Sequence, residues 1–149
     1  MPGKILEAKL WKPDWINEAV GYAKTIATPK CRESLEATDI RFYDCTGSKR
    51  CQDDDKPSRN NWAHAHNGAD WPCYGKICIF RPEILQDEPT YSGIHEIAHL
   101  TVVGGHNNAW MKRYKQLLAY FGFNIDPKHR EVVVWGHGLQ TASQWNSKR

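Results

Sequence analysis

Residues 93–110 read GIHEIAHLTVVGGHNNAW, a stretch that holds three of the seven histidines of the chain. Apolar residues on most sides of residues 90–103 predict a buried helix that ends at a pair of glycines. His95 and His99 are four positions apart, so on a helix they lie about 40° apart around the axis and both imidazoles can reach one ion. The stretch therefore predicts a helix on which His95 and His99 can bind one metal ion together.

Glu96 stands in the same turn as the two histidines and completes the pattern H-E-x-x-H. Its carboxylate can take a proton from a metal-bound water without filling a coordination position. A catalytic zinc site needs three protein ligands and an open fourth position. His106 is the candidate third ligand, because the two glycines before it can reverse the chain at the end of the helix. We predict one zinc ion per chain, held by His95, His99 and His106, with Glu96 as the general base; three imidazoles favour zinc over other divalent ions.

The segments before this stretch have first a helical and then extended patterns. Residues 15–26, between Pro13 and Pro29, repeat apolar positions at helical spacing and predict an amphipathic helix. Residues 38–44 alternate in polarity with a period of two, which predicts a half-buried strand. The other predicted elements here are a polar loop over residues 45–60 and two strands within residues 61–80, the second of them a nearly continuous apolar run over Tyr74–Phe80.

The segments after it predict a further helix, a short strand and a tail. Residues 107–121 place an apolar stripe between an asparagine cap and a glycine stop, which indicates a helix. Residues 131–136, EVVVWG, form a candidate strand, and the polar residues 139–149 predict a frayed tail. Together these elements predict one domain over residues 1–149, of class α+β, with its core over about residues 13–123.

Composition excludes few classes of protein. A chain of 149 residues is the size of one domain, and its net charge of +3 is too small to indicate a nucleic-acid partner. No apolar run approaches the roughly 20 residues that a membrane-spanning helix needs, and the first residues lack the apolar core of a signal peptide. We therefore expect no membrane partner and a cytoplasmic location.

The five cysteines and a second pair of histidines have ordinary interpretations. An odd number of cysteines leaves at least one free thiol, and their spacings are not those of a zinc ribbon, so buried thiols are expected. A loop disulfide between Cys45 and Cys51, or between Cys73 and Cys78, stays open. His64 and His66 lie on the same side of a predicted strand, which is typical of polar-face side chains and also allows metal binding.

The residues KICIFRPEI (76–84) and GIHEIAHLTVVGGHNNAWMKRY (93–114) resemble the SprT-like zinc metalloproteases, including the related WLM and Spartan groups. The shared layout is a strand, a proline-containing connection, an H-E-x-x-H helix, and a third histidine followed four residues later by an aromatic residue. Here the last two are His106 and Trp110. The resemblance covers about residues 13–123 in element order and about residues 76–122 in recognisable residues.

This resemblance implies a minimal zincin-like fold. An amino-terminal helix would pack on a small mixed sheet, followed by the H-E-x-x-H active-site helix and a helix that carries the third ligand. It also implies hydrolysis of a polypeptide substrate by a zinc-activated water. The gap from His99 to His106 differs from that of the metzincins, and no methionine turn is evident. The zinc ribbon and DNA-binding tails of some SprT-like proteins also look absent.

Several roles around the site stay open. The oxyanion stabiliser is one of Tyr91, Tyr114, His129 and His137. An extended substrate is expected to pair with an edge strand near Tyr74–Phe80. Trp62 and Trp71 either line the cleft or belong to the core.

Two alternative functions also stay open. The first is a zinc-stabilised, non-catalytic binding module whose metal site is closed by His129 or His137. The second is a DNA-associated protease, for which Lys112, Arg113 and Lys115 form a small basic cluster; such a cluster is usually a solvated helix face.

Overall fold

The computed structural model describes the side chains of four segments of the chain, together with the backbone of four short strands. The segments are residues 14–37, 86–104, 106–125 and 139–147. Five helices lie within them: α1 (Asp14–Ile26), α2 (Pro29–Ala37), α3 (Tyr91–Ala98), α4 (Asn108–Tyr120) and α5 (Ala142–Asn146). The predicted strand over residues 131–136 lies outside the described residues, as do the loop over residues 45–60 and the side chains of all cysteines except Cys31.

The predicted first helix is confirmed as α1, and a second helix follows it directly. In α1 the residues Trp15, Ile16, Ala19 and Ala23 are buried, at the spacing of one helical face. Pro29, which the sequence suggested only as a stop signal, is also the first residue of α2. Proline is favoured at this position because its missing N–H would have no partner inside the helix.

The strands are short, and their backbones pair in the order β1-β2-β4-β3. β1 is Lys4–Ile5, β2 is Phe42–Asp44, β3 is Ala63–Ala65 and β4 is Ile77–Ile79. β2 pairs in parallel with β4, and the other two pairs are antiparallel. Because β4 lies between β2 and β3, the expectation of an edge strand near Tyr74–Phe80 is wrong; the outer described strand that lies against α3 is β3.

The predicted α+β class, with a minimal zincin-like helix on a small mixed sheet, is also wrong. Of the residues whose side chains are described, 68% are helical and only 3% are in β-structure, so the described core is built from helices. The described strands have only two or three residues each. The apolar residues that are completely buried recur instead at helical spacing in α1, α3 and α4.

Helices α1, α3 and α4 pack against one another, and α3 contacts both of the others. Gly93 of α3 lets the indole of Trp15 approach the helix backbone closely, and Trp15 Nε1 donates to the carbonyl oxygen of Gln86 at 2.8 Å. The core of these helices is largely aliphatic and aromatic. Its completely buried members are Ala19, Ala23, Ile94, Ile97, Ala98, Trp110, Tyr114, Leu117 and Leu118.

Residues 139–147, which the sequence predicts to be frayed, pack instead against the start of α3. The amide of Tyr91 donates to the carbonyl oxygen of Gln140 at 2.9 Å, and Thr90 and Thr141 form an antiparallel bridge. Trp145 is only 2% exposed and stacks on Tyr91, with ring centroids 4.6 Å apart. Trp145 therefore docks this segment, together with Leu139 and Ala142, which also pack against the core.

Within the described residues, no helix combines the length and apolar character that crossing a membrane requires. The longest, α1 and α4, have 13 residues each.

We expect Gly93→Ala to destabilise the protein, although alanine is the better helix former. The added Cβ would lie 2.7 Å from Trp15 Cη2 and 2.9 Å from Thr90 Oγ1, so the packing of α3 on α1 must open. The expected loss in the free energy of unfolding, measured by urea denaturation, is about 1–3 kcal/mol.

Gly21→Ala in α1 is the matched control, because nothing lies within 4 Å of its added Cβ. This change should raise the free energy of unfolding by about 0.5–1 kcal/mol. Equal effects of the two substitutions would contradict the packing of Trp15 on Gly93.

Candidate metal centre

The structure brings His95, His99 and His106 together at one point. Their three Nε2 atoms are each 3.2 Å from the other two, so they form an equilateral triangle. A tetrahedral zinc ion with Zn–N bonds of about 2.0–2.1 Å separates its ligand atoms by about 3.3–3.4 Å. The observed triangle is close to that size.

The chemistry of this donor set also suits a cation. A neutral imidazole nitrogen either accepts or donates one hydrogen bond, and three nitrogens at the corners of a small triangle cannot all pair with one another linearly. A metal ion accepts all three lone pairs at once. The three histidines can therefore hold a metal ion.

Helix α3 supplies the first two ligands, and it ends earlier than the sequence predicts. Thr90 caps its start by accepting from the amide of Gly93 at 3.1 Å. The helix stops at Ala98, with His99 at its C-cap, rather than continuing to the glycine pair. Thr101 explains the early stop: its hydroxyl donates to the carbonyl oxygen of Ala98 at 2.6 Å, while its own carbonyl accepts from Thr28. His99 keeps helical backbone angles, so the one-turn spacing from His95 survives.

A turn that contains Gly104 delivers the third ligand. Gly104 has φ of +116°, a conformation that residues with a Cβ rarely adopt. Two residues after it, His106 is exposed and precedes Asn107, whose side chain caps α4 by accepting from the amide of Trp110 at 2.9 Å. The expected role of the glycines holds for Gly104; Gly105 lies outside the described residues.

Glu96 lies beside the triangle, and its side chain is nearly buried. Its Oε2 is 3.9 Å from Nε2 of His95, and the residue is 7% exposed. This distance is longer than a hydrogen bond, so the carboxylate stands next to the histidine nitrogens rather than among them. That placement leaves the three histidine nitrogens available to one ion, with a carboxylate beside them.

Trp110 is in contact with all three ligand rings, a role that the sequence analysis did not assign to it. Its ring centroid lies 4.8, 4.9 and 4.7 Å from those of His95, His99 and His106. The imidazole centroids are themselves 4.8–5.1 Å apart. The four rings therefore sit at the corners of a nearly regular tetrahedron. The position of Trp110 four residues after His106 was the available signal, since it places the ring in the first turn of α4, beside the ligand.

Burial lowers the pKa of His99 from its ordinary value of 6.5 to about 3, with further lowering by His95 and His106. At neutral pH this imidazole is therefore uncharged. A neutral ring is the form that binds a metal ion, so the site needs no deprotonation of His99 before loading.

The other candidate residues contribute less to the site. Tyr114 is completely buried and its hydroxyl donates to the carbonyl oxygen of Tyr91 at 3.2 Å, while the Tyr91 ring stacks on Trp145. Tyr91 thus belongs to the packing, whereas Tyr114 also meets the ring of His95 edge to face, with centroids 5.4 Å apart. The remaining candidates lie outside the described side chains: His64, His66, Trp62, Trp71, His129 and His137.

Gly104→Ala should weaken metal binding. An alanine at this φ is strained, and its Cβ would lie 2.8 Å from Nδ2 of Asn107, so the turn that places His106 must change. We expect a loss of about tenfold or more in zinc affinity, measured by competition with a chromophoric chelator.

Gly122→Ala is the control, because Gly122 also has a positive φ of 85° but has nothing within 4 Å of its added Cβ. It should cost about 1–2 kcal/mol of stability and leave zinc affinity unchanged. Equal zinc affinities in the two variants would contradict the role of the Gly104 turn.

The metal-free protein should lose stability as the pH falls from about 6.5 towards 3, because the unfolded chain protonates His99 in this range and the folded chain does not. His99 changes the free energy of unfolding by at most about 1.4 kcal/mol per pH unit in this range. Its stabilising contribution is fully present above pH 6.5. His99→Asn should remove this part of the slope in urea unfolding measured with a chelator present. Identical slopes in the two proteins would show that His99 takes up its proton equally in both states.

Comparison with protein-family models, with curated proteins and with solved structures gives no significant match to this chain.

Proposed function

We propose that this protein is a zinc-dependent endopeptidase. The observation that carries the proposal is the triangle of three histidine Nε2 atoms with the nearly buried carboxylate of Glu96 at its side, 3.9 Å from His95 Nε2. Zinc is the metal that we propose, since three imidazole ligands suit it. The resemblance of residues 76–122 to SprT-like metalloproteases points to the same reaction.

The chemistry follows from the roles of these residues. His95, His99 and His106 would hold the zinc ion, which would supply a Lewis acid able to lower the pKa of a water towards neutrality. Glu96 would take a proton from the attacking water as the water oxygen bonds to the peptide carbonyl carbon, since its carboxylate lies beside the histidine nitrogens without occupying their positions. Glu96 would then give that proton to the amine nitrogen as the C–N bond breaks.

An accessible outer side of the site supports a catalytic rather than a structural metal. His106 is exposed, so a water or a substrate carbonyl can approach the ligands from solvent. A structural site is usually closed by a fourth protein ligand. Among the described residues, the group that can hold a metal has three members.

The substrate that we propose is an extended polypeptide. β3, the outer described strand, contacts α3, the helix that carries His95 and His99, and this supports pairing of its backbone with a substrate chain. The DNA-associated alternative gains no support from Arg113. Its guanidinium donates to the carbonyl oxygens of Ile26 and Ala109, which fixes it against the fold.

Glu96→Gln should abolish cleavage while sparing the metal. The change is nearly isosteric and removes only the proton acceptor, so zinc content should stay near one ion per chain. Loss of the base should lower kcat for casein cleavage by at least about 100-fold. Zinc is measured by atomic emission on the same preparations.

Glu88→Gln is the matched control, because Glu88 is exposed and lies outside the site. It should cleave at the wild-type rate. The proposal fails if Glu96→Gln cleaves as fast as the wild type, or if the wild-type protein holds zinc and cleaves no member of a broad peptide library. The second result would favour the zinc-stabilised binding module.

A further inference from the structure

We propose that Trp110 is a positioning residue of the metal centre. In this assignment its indole closes the inner side of the histidine triangle and holds the three imidazoles at their separation. An exchangeable position on a bound metal ion would then face solvent. The inference rests on metal binding by the three histidines, and it does not depend on the reaction that the metal supports.

The geometry identifies the side that Trp110 covers. Its centroid is equally far from the three imidazole centroids to within 0.2 Å, so the indole is centred on one face of the ligand cluster. Trp110 is completely buried, whereas His106 is exposed. The covered face is therefore the inner one, and the outer face is the approach for water or substrate.

The indole contacts each imidazole differently. It stacks on His99 with an interplanar angle of 18°, and it meets His95 and His106 at 64° and 76°. Edge-to-face and stacked contacts are the two favourable arrangements of aromatic rings. Each ligand ring is thus oriented by its own contact with the same side chain.

The position of Trp110 is also fixed by contacts with residues other than the histidines. Tyr114 stacks on it at 4.9 Å, and the Tyr114 hydroxyl is fixed by its bond to the Tyr91 carbonyl. The backbone of Trp110 is fixed by the Asn107 cap. The indole cannot leave the ligands without breaking this arrangement.

The indole N–H argues against simple core filling. Within the described part of the chain, Nε1 of Trp110 is buried and has no hydrogen-bond partner. A buried donor in this state costs about 1–3 kcal/mol, which an apolar ring would avoid. A positioning role accounts for the indole, because its two fused rings contact all three imidazoles at once.

The test is cobalt binding to the whole protein, since the visible spectrum of Co²⁺ reports its coordination geometry. Trp110→Leu should bind Co²⁺ about 10–100-fold more weakly than the wild type, with a shifted spectrum, because solvent reaches the inner face and the imidazoles lose their support. Trp110→Phe keeps an aromatic ring and should fall between the two in affinity.

Trp145→Leu is the matched control. Trp145 is also a buried indole in an aromatic stack, but it contacts Tyr91 and Phe123 rather than the ligands. It should lower the midpoint of thermal unfolding and leave the cobalt spectrum and affinity unchanged.

The inference is overturned if Trp110→Leu binds cobalt with the affinity and spectrum of the wild type, or if Trp145→Leu changes both as much. Should Trp110→Leu fail to fold, unchanged affinity and spectrum in Trp110→Phe would overturn it equally. A wild-type protein that binds no cobalt would overturn it together with the metal site. A wild type that binds cobalt, with the expected order of variants, but cleaves no peptide would uphold this inference and remove only the endopeptidase proposal.

Discussion

The packing of one buried indole against three imidazoles is the contact on which the described structure depends. Two ligands come from the end of α3, and the third comes from the turn before α4. Trp110 lies in the first turn of α4, so burying its ring sets the position of α4 against α3. The burial of Trp110 therefore also brings the three histidines together. Core packing, worth several kcal/mol for a ring of this size, supplies the precision that a metal site needs.

The electrostatics of the centre involve one uncharged imidazole and one nearby carboxylate. Burial lowers the pKa of His99 to about 3, so at neutral pH its ring keeps one N–H and offers a lone pair on the other nitrogen. Glu96 places a nearly buried carboxylate next to the ring of His95, where a bound cation would stabilise its charge further.

The sequence was most informative where the signal was local. The H-E-x-x-H spacing, the capping asparagine before α4 and the glycine at φ +116° each act within one or two turns, so the grouping of His95, His99 and His106 could be predicted. The fold class could not be predicted, because short period-two runs do not tell whether a sheet or packed helices will build the core. α5 was missed because its docking depends on the isolated Trp145, whose partner Tyr91 is distant in sequence. The role of Trp110 depends on tertiary contacts that no spacing rule contains.

Residues 139–147 dock on the start of α3. Through this docking, a series of aromatic contacts runs from Trp145 through Tyr91 and Tyr114 to Trp110. A ribosome makes the chain from its amino terminus, so the three histidines and Trp110 are synthesised before Trp145. The start of α3 therefore lacks the hydrogen bond from Tyr91 to Gln140 and the ring of Trp145 until synthesis reaches them. In a nascent chain the histidines and Trp110 can come together first, and the docking of α5 stabilises the start of α3 afterwards.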